Sequence, residues 1–216
     1  MPLASSLAVL STKIKICGIT REQDAQAAMD AGVDAVGLMF VESSARTVSL
    51  EKARDLAEQM TGCLQRVGVF ANSAPQRIES VLKQVELDAL QFHGEEDCSA
   101  CERWGLPYLK TVRMGGPRTW DAVEAEHPQA CALLLDTFKP GVLGGTGERF
   151  DLALWPRGAT LKLVLSGGLN PDNVVAAMAA TRPYGVDVSG GVEGSARGIK
   201  SKALINDFVR AVRQAE

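Results

Sequence analysis

Eight times in 216 residues, a short run of β-branched and aliphatic residues is followed by a stretch with helical periodicity or, once, by a long loop. "IKICG" leads to "TREQDAQAAMDAG", "DAVGLMF" to "SLEKARDLAEQM", "QRVGVFA" to "APQRIESVLKQV", and "DALQFHG" to "EEDCSACERWG". "PYLKTVRM" and "PRTWDAVEAEH" continue the pattern, and "ACALLLD" precedes a glycine-rich loop and the short "FDLALW". "LKLVLSGG" with "NPDNVVAAMAAT" and "YGVDVSGG" with "SKALINDFVRAVRQAE" complete it. Apolar runs without strict alternation suit parallel strands covered by helices. Eight strand-helix units in about 200 residues predict a single-domain α/β chain folded as a compact (β/α)8 TIM barrel. An open doubly wound sheet is the alternative on pattern alone. The barrel is assigned to residues 13–216, and residues 1–12 to an N-terminal extension.

Local signals refine the first unit. Thr20 is placed to cap the first helix with Gln23 as its capping-box partner, and Gly32 to close it. "LASSLAVL" near the start is faintly like a secretory signal, but it lacks the basic residues such a segment carries in front.

A net charge of −3 offers no broad electrostatic footprint for nucleic acid, and no stretch is apolar for long enough to span a bilayer. The five cysteines (Cys17, Cys63, Cys98, Cys101, Cys131) are odd in number and scattered, unlike a disulfide framework. Cys98 and Cys101 form a CxxC without a second pair for zinc, and read as two thiols on one helix. A cytoplasmic location is expected.

In such barrels the active site is built at the C-terminal ends of the strands. Cys17 ends the first strand and Asp136 the sixth; Arg46 follows the second and His93 ends the fourth. Ser-Gly-Gly recurs after strands seven and eight, where barrels often bind phosphate on backbone N–H groups. Gly167, Gly168, Ser189, Gly190 and Gly191 are the phosphate candidates, and Asn170 before Pro171 marks a helix start. "GGTGER", residues 144–149, lacks the Gly-Lys-Ser/Thr of a nucleotide loop and reads as a cover over the site. A thiol and a carboxylate facing a phosphate grip point to acid-base work on a small phosphorylated substrate.

"KICGIT", "QFHGEE", "LLLDTFKPGVLGGTGERFDLALW", "LSGGLNPDNV" and "VDVSGGVE" together resemble the phosphoribosylanthranilate isomerase family of tryptophan biosynthesis, over nearly the whole chain. The resemblance implies an Amadori rearrangement without cofactor or metal. N-(5-phosphoribosyl)anthranilate would become 1-(2-carboxyphenylamino)-1-deoxyribulose 5-phosphate. It implies Asp136 as general acid toward the furanose oxygen, Cys17 as general base at C2′, and Arg46 as the partner of the anthranilate carboxylate. The acid would need a raised pKa and the thiol a lowered one. His93 lies in a matching motif but receives no role.

The chain departs from the family in "GVEGSARGIKS", which is one residue longer, lacks a proline and has Ser201 for an aspartate. That puts the shape of loop 194–201 and its effect on phosphate binding in question. Paired aspartates at strands one and five, the usual arrangement in the related phosphosugar isomerases of histidine biosynthesis, are not matched by Cys17. The expected partner is a small phosphoribosyl substrate, for a chain acting as a monomer or homodimer.

Overall fold

The eight predicted strands form, in chain order β1 Lys13–Cys17, β2 Ala35–Met39, β3 Gln65–Phe70, β4 Ala89–Phe92, β5 Tyr108–Met114, β6 Ala132–Thr137, β7 Leu163–Leu165 and β8 Gly185–Val188. All neighbours are parallel, and β8 pairs back onto β1 to close the barrel. The computed structural model describes residues 11–137 and 151–216. The proposed cover, residues 144–149, and most of the N-terminal extension therefore lie outside the described residues.

Among the described residues the helices are α1 Glu22–Asp30, α2 Leu50–Gln59, α3 Pro75–Leu82, α4 Cys98–Glu102, α5 Trp120–Glu126, α6 Val174–Thr181 and α7 Lys202–Gln214. "FDLALW" forms only a 3-10 turn, Leu152–Leu154, between β6 and β7. α7 shows how these segments attach. Ile205, Phe208, Val209 and Val212 recur on one face, and all four are buried. Along β6, alternate residues divide between two apolar clusters. Leu133 and Leu135 join the large core shared with the helices, whereas Ala132 and Leu134 pack with Val164 and Leu109. The period of two thus separates the outer wall of the barrel from its filled interior.

Two helix starts differ from the sequence expectation. The Thr20 hydroxyl donates to the Gly198 carbonyl instead of capping α1, whose N-cap is Arg21 without a side-chain cap. A tertiary acceptor from the loop after β8 has captured a side chain whose local pattern promised a capping box. Gly32 does close α1, at φ +70° with its N–H on Met29 O. Asn170 heads a turn four residues before the start of α6, where its side-chain oxygen accepts from the N–H groups of Asp172 and Asn173. Cys98 and Cys101 lie on α4 as expected, with the Cys98 thiol directed at Glu102.

Replacing Phe208, which is fully buried on the inner face of α7, with Ala is expected to destabilise the chain by about 3–5 kcal/mol. Urea unfolding checks this; a loss below about 1 kcal/mol would mean that α7 is not integral to the core.

Candidate active site

The C-terminal ends of the strands surround a cavity of about 520 Å³ whose lining includes Cys17, Arg46, His93 and Asp136. The five phosphate candidates Gly167, Gly168, Ser189, Gly190 and Gly191 line it as well. Every site residue singled out from the sequence therefore reaches one space. Cys17 and Asp136 are 5% and 7% exposed, so both are largely removed from water.

Burial dominates the acid and the thiol alike. It pushes the Asp136 carboxyl up to about 6, with the Asp187 charge adding to it and the Thr137 N–H, Arg113 and Lys15 acting against it. The Thr137 N–H donates to Asp136 Oδ1 at 2.8 Å. Burial also pushes the Cys17 thiol above its ordinary value, although Lys15 and Lys200 pull it down. The expectation that the site lowers the thiol's pKa does not hold. Desolvation of a thiolate outweighs the two nearby ammonium groups, each of which is itself paired with a carboxylate.

The Lys15–Asp187 pair lies at 2.8 Å and is buried on both sides. The two residues are direct partners in the β1–β8 register, so barrel closure alone brings them together. A point where a Cβ on Gly37 would sit lies 2.7 Å from Cys17 Sγ and 3.2 Å from Lys15 Nζ. Glycine on β2 thus leaves the room that both side chains occupy. Asp187 also takes a long contact, 3.4 Å, from the Ser166 hydroxyl.

His93 sits against the acid. Its Nε2 is 3.5 Å from Asp136 Oδ2 and has no hydrogen-bond partner among the described residues. Burial, reinforced by Arg113, Lys110 and Lys15, drives its pKa down to about 3, so the ring is neutral and this contact is not an ion pair.

The glycine loops border the cavity with bare backbone. Gly167 and Gly168 have φ +86° and +64°, which glycine adopts without strain. A Cβ on Gly191 would lie 1.8 Å from Leu169 O, so the loops after β7 and β8 touch only because that position has no side chain. Among the described residues, none accepts from the N–H groups of Gly168, Gly190 and Gly191. Unused N–H groups bordering a cavity suit a phosphate.

Arg46 is held by Glu193, with Nε to Oε1 at 2.6 Å and Nη2 to Oε2 at 2.9 Å. Burial acts to raise the Glu193 carboxyl, but Arg46, Lys200 and the Gly198 N–H hold it below its ordinary value. Lys200 Nζ reaches Glu193 at 3.1 Å and the Ser189 carbonyl at 3.1 Å. The extra length after β8 folds back as an antiparallel bridge, Glu193 to Lys200, and packs beside Arg46. Ser201 caps α7 by accepting from the Leu204 N–H. The loop after β8 thus borders both Arg46 and the Ser189 end of its own glycine run.

The model of the family described as N-(5'phosphoribosyl)anthranilate (PRA) isomerase matches residues 14–211. The chain belongs to this family. An N-(5'-phosphoribosyl)anthranilate isomerase of Pseudomonas fluorescens (strain Pf0-1) is 46% identical over 203 residues, covering 94% of this chain and 99% of its own. The phosphoribosylanthranilate isomerase of Thermus thermophilus superposes with TM-score 0.83 at 32% identity, covering 95% and 100% of the two chains. A family member solved with reduced 1-(o-carboxyphenylamino)-1-deoxyribulose 5-phosphate has TM-score 0.77 at 36% identity, covering 94% and 99%. Membership agrees with the resemblance read from the motifs and with the closed eight-stranded barrel.

Lys15, Asp187, Glu193 and Lys200 escaped the sequence reading. The first two carried a signal: charged residues inside the apolar runs "KIKIC" and "YGVDV". An unpaired charge cannot be buried cheaply, so each implied a partner. Glu193 and Lys200 carried none, because their pairing depends on a loop folding back.

A Gly191→Ala substitution should force the loops after β7 and β8 apart, costing roughly 1–3 kcal/mol through overpacking. Inorganic phosphate should then raise the melting temperature less than it does in the unmodified protein. An unchanged phosphate-dependent shift would exclude these loops as the grip.

Proposed function

We propose that this barrel isomerises N-(5'-phosphoribosyl)anthranilate with Asp136 as general acid and Cys17 as general base. The observation that carries the assignment is their meeting in one buried cavity with the two glycine loops. The phosphate is held on backbone N–H groups after β7 and β8, and the anthranilate carboxylate lies toward Arg46. The catalytic unit is the barrel of residues 13–216, acting in the cytoplasm as a monomer or homodimer on a small phosphoribosyl substrate.

Asp136, protonated, gives its proton to the furanose oxygen as the C1′–O4′ bond breaks. The anthranilate nitrogen supplies the electron pair and becomes the cationic Schiff base. The Cys17 thiolate then takes the C2′ proton, and the C2′–H electrons form the C1′=C2′ bond while the nitrogen is neutralised. The resulting enolamine tautomerises, with C1′ gaining a proton and the C2′ hydroxyl losing one to give the ketone. One proton leaves Asp136 and one arrives at Cys17, so the step is redox-neutral.

Each catalyst has a reason to ionise in sequence. A carboxyl raised to about 6 by burial is a better proton donor near neutrality than an ordinary aspartate. For the thiol, Lys15 and Lys200 favour the anion in the resting site. The Schiff-base cation adds a third positive charge at the moment the base is needed.

Loss of anthranilate fluorescence on adding freshly made substrate, without cofactor, tests the reaction. Cys17→Ala and Asp136→Asn should each lower turnover by about 10²–10⁴-fold. A variant retaining full activity would remove its residue from the assigned role.

The pH profile carries a separate expectation. The active form has Asp136 protonated and Cys17 ionised, opposite to the order of their resting affinities. Below about 6 the acid is intact while the thiolate fraction grows with pH. Between the two values the growing thiolate and the shrinking acid cancel. Above the thiol's raised value only the loss of acid continues. A plot of kcat/KM should therefore rise to about pH 6, level off, and fall in the alkaline range. A profile that keeps rising through the alkaline range would exclude Asp136 as a proton donor.

A further inference from the structure

Arg46 is already committed. Two of its donor nitrogens are bound to Glu193, with both side chains buried, so much of its charge is answered before a substrate arrives. A ring carboxylate brought to that end of the cavity has only part of a guanidinium to meet it. Ser43 and Ser44, which line the same wall, offer no charge.

A second guanidinium borders the same space. Arg197 lines the cavity and is exposed, and among the described residues it has no hydrogen-bond or ion-pair partner. Its backbone is pinned beside Arg46. Gly198, the next residue, donates its N–H to Glu193 Oε1 at 3.0 Å and receives the Thr20 hydroxyl on its carbonyl. Gly198 has φ +81°, and a Cβ there would sit 3.1 Å from Ala45 O and 3.9 Å from Arg46 Cγ. Its neighbours are thus the residues around Arg46, whereas the glycine loop after β7 touches the β8 loop earlier, at Gly191.

We propose that Arg197 is a substrate-binding residue that supplies a second cation to the ring carboxylate, beside the Glu193-tied Arg46. This rests on the reading above that the carboxylate lies toward Arg46. A planar two-pronged donor at the cavity mouth can engage a carboxylate oxygen while remaining hydrated on its other side. The division of labour is physical: Arg46, locked by Glu193, sets direction, and Arg197, unpaired, contributes net charge.

The test compares two inhibitors of the full-length protein. One is reduced 1-(o-carboxyphenylamino)-1-deoxyribulose 5-phosphate; the other is the same compound made from aniline, without the carboxyl. Arg197→Ala should weaken the carboxylated compound roughly fivefold to tenfold, as expected for a partly exposed charged hydrogen bond, and leave the anilino compound unaffected. Arg197→Lys should recover part of the loss, and KM should rise with little change in kcat. Equal weakening of both compounds would place Arg197 on the phosphate and overturn the proposal. No weakening of either would overturn it as well. Arg46→Gln serves as the control for the underlying reading. If it fails to discriminate between the two compounds, the carboxylate does not lie at this end, whatever Arg197 does.

Discussion

Closure of the barrel between β1 and β8 is the constraint on which the rest depends. It joins residues more than 170 positions apart and sets Lys15 directly opposite Asp187 in the register. Two residues further along the same strand pair, it lets the Ser189 hydroxyl donate to the Cys17 carbonyl at 3.0 Å. The same closure brings the start of α1 against the loop after β8. Arg21 binds Asp24 through two nitrogens and reaches the Lys200 carbonyl, while Asp24 accepts from the Lys200 N–H. A buried aspartate and its ion pair thereby fasten the last loop to the first helix. Without that seam, the candidate base, the phosphate grip and Arg46 would belong to separate parts of the chain.

The interior of the barrel near this seam is polar where most barrels of this size are filled with branched aliphatic side chains. Lys15 and Asp187 are tolerated there because each answers the other at 2.8 Å. Removing one would leave an uncompensated buried charge, which is far more costly than losing the pair as a unit. The pair also sets the field around Cys17. Burial opposes the thiolate, Lys15 favours it and Asp187 opposes it, so the thiol is poised rather than ionised. Asp136 experiences the same burial, so a single physical effect, exclusion of water, favours the neutral form of both groups.

A second hub lies at Glu193. Its carboxylate ties Arg46 from the loop after β2 to Lys200 and Gly198 from the loop after β8. Charge-assisted bonds between two loops give an arginine a fixed direction that a solvated loop side chain would lack. The stretch after Glu193 therefore borders Arg46 on one side and, through Lys200 and the Ser189 carbonyl, the start of the glycine loop after β8 on the other.

Much of this was legible in the chain itself. Eight apolar runs alternating with helical periodicity narrowed the fold to a parallel sheet covered by helices, a barrel or an open doubly wound sheet, because a strand buried on both faces and an amphipathic helix have few other ways to cover one another; the pairing of β8 with β1 closed it. The ends of those runs located Cys17, Arg46, His93, Asp136 and both Ser-Gly-Gly loops, since position along a strand is a local property. What only the tertiary structure decided was who meets whom across the barrel. Thr20 met Gly198 instead of capping its own helix, and Arg46 met Glu193 instead of standing free. The direction of the Cys17 pKa was decided there too, by the balance of water exclusion against Lys15 and Lys200. These outcomes depend on through-space distances between residues far apart in sequence, and on how completely water is removed, neither of which local spacing contains.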